Sequence, residues 1–247
     1  MKLLHGDCLD LMKDIPEKSI DMILCDLPYG TTVCKWDNVI PFEPLWEQYT
    51  RVIKDNGAIV LFSQLPFGAK LINSQPKLFR YEWIWDKVAP AGFLNAKKMP
   101  LRSHENIFVF YKKLPTYNPQ MRTEFEPYKK KRGASKTGIY PTHQEISRCS
   151  AGERHPVDVL CFNSQAKEVS NAKRLHPTQK PVALLEYLIK TYTNPGETVL
   201  DNCMGSGSTG EACLNTKRHF IGIEKDAKYF EIACKRLEET QKRLEAS

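Results

Sequence analysis

The segment that most restricts how this chain can fold runs from Thr198 to Glu224. Thr198 to Leu200 is a short apolar strand, and Asp201 follows it into Gly205-Ser206-Gly207-Ser208-Thr209-Gly210. A helix through Leu214 comes next, then a second strand, His219 to Ile223, that ends in Glu224. Glycines at this spacing let backbone approach a ligand closely where a strand turns into a helix, and an acid ending the next strand can accept hydrogen bonds from both hydroxyls of a ribose. A strand-helix-strand unit of this kind belongs in a parallel, helix-covered sheet.

The rest of the chain agrees with such a sheet. Leu3 to His5, Ile20 to Cys25, Ala58 to Phe62, Tyr81 to Trp85 and Ile107 to Phe110 are apolar runs of strand length. Phe42, Leu45, Trp46, Tyr49 and Ile53 recur at near-helical spacing before the stop signal Asn56-Gly57. Val182, Leu185, Leu188, Ile189 and Tyr192 form one apolar face behind a helix-starting Pro181, and a charged amphipathic helix is expected over about 227–244. The expected class is α/β, with a mostly parallel sheet and helices on both faces. Three regions are expected: 1–111 as one half of the sheet domain, 112–172 as an irregular insertion, and 173–247 as the other half. In the insertion, prolines and glycines interrupt every periodicity.

At 247 residues the chain can build one full core. No stretch approaches the ~20 apolar residues of a membrane helix, and no secretory h-region opens the sequence, so a soluble protein of the cytoplasm is expected. Eight cysteines without a Cys-x-x-Cys pair or a Cys/His cluster suit reduced thiols and leave no expected metal site. The absence of a Pro-Cys dipeptide argues against a covalent thiol nucleophile of the C5-cytosine type. The net charge of +7 is unevenly spread: residues 97–180 carry 17 Lys and Arg against 7 Asp and Glu, so the remainder is slightly acidic.

Asp201 restricts the ligand of the glycine turn. An acid at the strand end would oppose a dinucleotide pyrophosphate but could bond the ammonium of an amino-acid-bearing cofactor. S-adenosylmethionine has both that ammonium and a ribose. A second turn, Asp26-Leu27-Pro28-Tyr29, ends the strand Ile20 to Cys25, where open α/β sheets bind ligands. A carboxylate at Asp26 and a backbone carbonyl stiffened by Pro28 suit the two N–H groups of an exocyclic amine. Tyr29 suits stacking on a base drawn out of a duplex.

With both turns in view, the chain resembles the amino-group DNA methyltransferases, which carry an Asp/Asn/Ser-Pro-Pro-Tyr box and an Asp-x-Phe-x-Gly-Ser-Gly-Ser-Thr-like box. The order of the boxes, catalytic first and cofactor last, resembles the permuted β class. The resemblance implies a Rossmann-like sheet using S-adenosylmethionine, with a target-recognition region in the insertion. It implies a catalytic set of Asp26, Leu27, Pro28 and Tyr29. It implies a cofactor set of Asp7, Cys8, Asp26, His176, Thr178, Lys180, Asp201, Gly205, Ser206, Gly207, Ser208, Thr209 and Glu224. Leu27 departs from the usual first proline, and Met204 stands near the usual phenylalanine.

In the insertion, Arg122, Lys129, Lys130, Lys131, Arg132 and Lys136 lie among Tyr117, Phe125, Tyr128 and Tyr140, a composition fitted to phosphate tracking. The resemblance places DNA binding there. It implies double-stranded DNA as substrate and allows a homodimer and a cognate restriction endonuclease as partners, in a bacterial or phage-infected host. Family members acting on cytosine N4 usually carry Ser for the acid, so Asp26 favours adenine N6, with cytosine N4 the alternative. Protein-glutamine methylation, which also uses a Pro-Pro-Tyr box, places its cofactor turn first, opposite to the order here.

Overall fold

A computed structural model of the chain describes residues 1–30, 37–132, 146–164 and 179–246, with residues 130–132 and 146–150 described by backbone alone. The strands are β1 (Lys2–His5), β2 (Ile20–Asp26), β3 (Ile53–Ser63), β4 (Phe79–Ala91), β5 (Arg102–Phe110), β6 (Tyr128–Arg132), β7 (Ile146–Ser150), β8 (Val159–Cys161), β9 (Thr198–Asp201) and β10 (His219–Glu224). The helices are α1 (Cys8–Leu11), α2 (Phe42–Val52), α3 (Phe67–Ser74), α4 (Val182–Tyr192), α5 (Ser208–Asn215) and α6 (Ala227–Glu245). Two compact units result, one formed by Met1–Asn118 with Asp158–Ser247, the other by Pro119–Val157.

The larger unit is built on an eight-stranded sheet of order β1-β10-β9-β2-β3-β5-β4-β8. Strands β1, β10, β9, β2 and β3 run parallel to one another, whereas β5 is antiparallel to both β3 and β4. Alternation sorts the core onto the two faces. Met22, Leu24, Val60 and Val199 point to one face, where Leu184 and Leu188 of α4, Ala212 of α5 and Leu237 of α6 cover them. Ile23, Cys25, Leu61 and Leu200 point to the other, under Met12, under Leu45 and Tyr49 of α2, and under Leu71 of α3. The expected helices on both faces are therefore present.

Helix α2 forms because its apolar side chains fall three and four apart. Leu45, Trp46, Tyr49 and Val52 are buried, and the Trp46 indole donates to Ser74 Oγ at 2.8 Å, tying α2 to α3. Tyr192 ends α4 in the core, where Trp83 Nε1 donates to its hydroxyl at 2.7 Å and the Tyr81 hydroxyl lies at 2.8 Å. That satisfied buried network fixes α4 against β4. The N-terminal strand joins the sheet beside a late one: β1 pairs in parallel with β10, Leu4 opposite Ile223, and Gly6 N–H donates to the Glu224 carbonyl at 3.0 Å.

Among the described residues of the stretch expected to be irregular, 112–172, three short strands are present. Val159–Cys161 joins the main sheet as an edge strand beside β4, with Leu160 buried. Residues 119–157 form the smaller unit, in which β6 and β7 make an antiparallel hairpin with Tyr128 opposite Ser150. Burial of one residue, Leu160, and a row of backbone hydrogen bonds suffice for a short edge strand, and neither leaves a periodic trace in sequence.

Candidate active site

A cavity of about 960 Å³ opens where the parallel strands end, and both turns line it. Asp26, Leu27, Pro28 and Tyr29 come from the end of β2, Asp201, Gly205, Ser206, Ser208 and Thr209 from the β9-to-α5 turn, Asp7 and Cys8 from the end of β1, and Glu224 from the end of β10. The strands bring these groups together because β1, β10, β9 and β2 are neighbours with a common direction.

The glycine turn shows why it needs its glycines. Gly205 and Gly207 sit at φ 52° and 81°, in the left-handed region that a side chain disfavours. At Gly210 the restriction is space: a Cβ would lie 2.8 Å from Leu237 and from the Phe220 ring, so this glycine lets α5 close onto β10 and α6. Met204, which follows Cys203 where the family's box has its aromatic and one further residue, is buried and packs over Gly222, where a Cβ would strike its sulfur. Leu27, in place of the first proline, is buried in the core under α2.

The acids of the cofactor end differ in their states. Asp201 is 3% exposed, accepts the Cys203 N–H at 3.0 Å, and is pushed up to about 6 by burial, against the hydrogen bonds of Thr209 and Cys203. Glu224 accepts the Gly205 N–H at 2.9 Å and the Asp226 N–H at 2.8 Å, and burial lifts its pKa. Asp7 caps α1 through Leu9 N–H at 3.0 Å and pairs with Lys225 at 3.0 Å, and that ammonium lowers its pKa. Cys8 is buried beside the Cys203 thiol, whose hydrogen bond lowers its pKa. Ser206 and Ser208 are held by Arg236, whose guanidinium reaches Ser208 Oγ at 3.0 Å.

At the other end, Asp26 is engaged on both oxygens. The Tyr29 hydroxyl donates to Oδ1 at 2.8 Å, and Lys180 Nζ donates to Oδ2 at 2.6 Å. Lys180 also pairs with Glu105 at 3.2 Å, and Lys87 pairs with the other Glu105 oxygen at 3.2 Å. Two carboxylates and two ammoniums thus form a charge-balanced, mostly buried chain. Burial raises the Asp26 pKa, with the Glu105 charge adding to it and Lys180 and Tyr29 opposing. Burial works against Lys180 as well, but Asp26 and Glu105 outweigh it and hold the ammonium above its ordinary pKa. Lys87 and Lys180 likewise overcome burial to lower Glu105. Lys180, expected at the cofactor, is here a partner of Asp26. Lys87 and Glu105 were not among the expected site residues; they sit on the neighbouring strands β4 and β5, and only the pairing of those strands brings them together.

The Tyr29 ring packs against Phe67 at 5.0 Å between centroids. Of the remaining expected residues, His176, Thr178 and Lys136 lie outside the described residues, and Lys130, Lys131 and Arg132 are described only as β6 backbone. Lys129 is exposed. Arg122 is half-buried with its guanidinium 4.9 Å from the centre of the Phe125 ring, against which Arg154 also stacks at 3.9 Å. The Arg122 guanidinium is therefore engaged within the smaller unit.

Residues 20–235 match the model of an N6/N4-type family described as DNA methylase. The chain belongs to the DNA methylase family. This methylase is 30% identical to Type II methyltransferase M1.MboII of Moraxella bovis, over 92% of its own length and 93% of that protein's. It is 28% identical to DNA adenine methyltransferase YhdJ of Escherichia coli (strain K12), over 96% of its own length and 82% of that protein's. Among solved structures, the M1.HpyAVI–SAM complex superposes with a TM-score of 0.64 at 26% identity, covering 96% of the methylase and 99% of that chain. The methylase thus has the Rossmann-like fold of S-adenosylmethionine-dependent methyltransferases.

The cavity residues suit that cofactor. Asp7, Asp201 and Glu224 all line this cavity, and carboxylates are acceptors of the kind an ammonium and ribose hydroxyls require. A pyrophosphate would meet the same three acids as repulsion. No helix among the described residues is long and apolar enough to cross a membrane.

Proposed function

We propose that this methylase transfers the methyl group of S-adenosylmethionine to adenine N6 in double-stranded DNA, at a base drawn out of the helix. The observation that carries the reading is the shared cavity: the Asp26 carboxylate and the acid-lined glycine turn face one space from adjacent strand ends. Asp7, Asp201, Gly205 and Glu224 hold the cofactor, which supplies, when bound, a methyl group made electrophilic by a sulfonium.

The protein's own groups prepare the amine. An aromatic amine is a weak nucleophile because its lone pair is shared with the ring. One N–H donates to Asp26, whose two oxygens keep open acceptor sites beside the Tyr29 and Lys180 bonds. The Leu27 or Pro28 carbonyl accepts the other, which turns the lone pair toward the cofactor side of the cavity. As the N–C bond forms and the bond from that carbon to the sulfonium sulfur breaks, positive charge grows on the nitrogen, the fixed Asp26 carboxylate stabilises it, and the excess N–H proton then leaves to solvent. Lys180 opposes the burial that raises the Asp26 pKa and retains Glu105 as its second partner.

The cytosine-N4 alternative would use the same cavity. Asp26 and the adenine-type name of the YhdJ relative support adenine. The Type II names of M1.MboII and other relatives support a cognate restriction endonuclease, and their bacterial sources support a bacterial cytoplasmic setting. A homodimer belongs to the same proposal by resemblance to the β class. Incubating the protein with S-adenosylmethionine and unmethylated genomic DNA, then analysing nucleosides by mass spectrometry, tests the reading. N6-methyladenine is expected; N4-methylcytosine or no modified base would overturn it.

A further inference from the structure

The turn between β4 and β5 presents apolar side chains to solvent beside the Asp26 end of the cavity. Phe93 is 68% exposed, Leu94 fully exposed and Met99 55% exposed. Such side chains at one tip ask for a partner. The tip is also built, with a defined course. Gly92, at φ 95°, turns the chain into a single 3-10 turn over Phe93–Asn95. Backbone hydrogen bonds from Asn95 to Gly92, from Ala96 to Phe93, and from Lys98 and Met99 to Asn95 close it. At its base the strand pairing is interrupted between Asp86 and Ala91. There Val88 takes φ 62°, a costly conformation for a β-branched residue, held by its N–H donating to Asp86 at 2.9 Å.

Charge says what the partner is. From Val88 to His104 the sequence has Lys97, Lys98 and Arg102 and no acid, and all three cations are exposed. Continuity with the cavity says where the partner sits. Lys87, Ala89, Pro90 and Ala91 on one side of the tip, and Arg102 and Glu105 on the other, line the same cavity as Asp26 and Tyr29. Resting on the reading above, the geometry points to a second DNA-contacting element: Phe93 and Leu94 enter the duplex beside the extruded base, while Lys97, Lys98 and Arg102 take the flanking phosphates. Apolar side chains inserted at a base step hold open a helix that would otherwise reclose on its base. The element is separate from the basic insertion of residues 112–172.

The test compares two duplexes carrying a site that the wild-type protein methylates, one fully paired and one with a mismatch opposite the target base. A mismatched base is already loosened and needs less help to leave the stack. For Phe93→Ser with Leu94→Ser, kcat/KM on the paired duplex should fall about tenfold or more, and on the mismatched duplex less than about threefold, with S-adenosylmethionine affinity unchanged. Lys97→Gln with Lys98→Gln should reduce the slope of log affinity against log salt by about 2 on either duplex. Equal losses on both duplexes, or none on the paired one, overturn the wedge. So does a shift from dimer to monomer in sedimentation with unchanged duplex selectivity, which would assign the apolar tip to self-association. Failure of the wild-type protein to methylate any DNA would instead overturn the functional reading, and with it this element.

Discussion

Asp26→Asn isolates the charge at the centre of the proposed chemistry, because it keeps the shape of the side chain and one acceptor oxygen. At an effective dielectric of ~20, Coulomb's law gives about 5–6 kcal/mol between a full positive charge and a carboxylate ~3 Å away. Only part of a charge develops on the amine, and Lys180, at 2.6 Å from Oδ2, cancels part of the carboxylate's field. About 3–4 kcal/mol should remain, a loss of roughly 10²–10³-fold in the methyl-transfer rate. Single-turnover transfer of a radiolabelled methyl group to a duplex measures this directly. Cofactor affinity by calorimetry should stay within about threefold, since Asp7, Asp201 and Glu224 are untouched, and Lys180 keeps Glu105 at 3.2 Å, so the fold should survive. The pH dependence gives an independent check. Burial raises the Asp26 pKa, so wild-type activity should decline as pH falls through that raised value and the carboxylate takes up a proton. The residual activity of the Asn variant should lack that acid limb. A rate within threefold of wild type, or an unaltered acid limb, would refute the assignment of Asp26.

Asp201→Asn should weaken S-adenosylmethionine binding above pH 6 while stabilising the free protein there. A buried carboxyl lifted from 3.8 to about 6 supports the fold when protonated, and that support is lost as pH rises through the folded value, so its removal should gain about 2–3 kcal/mol at pH 8, read from urea unfolding with and without cofactor. Lys180→Met should move the acid limb of activity to higher pH, because Asp26 and Glu105 lose the cation that opposes the effect of burial, and should cost about 3–5 kcal/mol of stability; pH–rate profiles and thermal melts check both effects. Replacing Lys129, Lys130, Lys131 and Arg132 by Gln should weaken duplex binding uniformly across sequences and flatten its salt dependence by up to about 4 in the log–log slope, measured by fluorescence anisotropy at several salt concentrations.

The elements of the sheet were legible because their signals are local. The unbroken apolar run of Met22, Ile23, Leu24 and Cys25 reports a strand buried on two faces, and Leu45, Trp46 and Tyr49 report a helix with one. The turns at Asp26 and Gly205 carry their chemistry in consecutive residues, so their places at strand ends could be read before any strand was paired. The 159–161 edge strand and the built tip at Phe93–Asn95 were not legible, since the first depends on a neighbouring strand and the second on what its backbone can bond.

What the sequence by itself determined is thus the α/β class, the two ligand-facing turns and the basic character of the middle of the chain. Only the tertiary structure decided that Lys180 lies on Asp26, 154 residues away, and that Lys87 and Glu105 complete the charge-balanced chain. It also decided that β1 lies beside β10, which sets Asp7 next to Lys225. The physical reason is that periodicity and turn chemistry act over a few bonds, whereas an ion pair depends on the positions of two side chains in space. Those positions are set by the order in which the strands join the sheet.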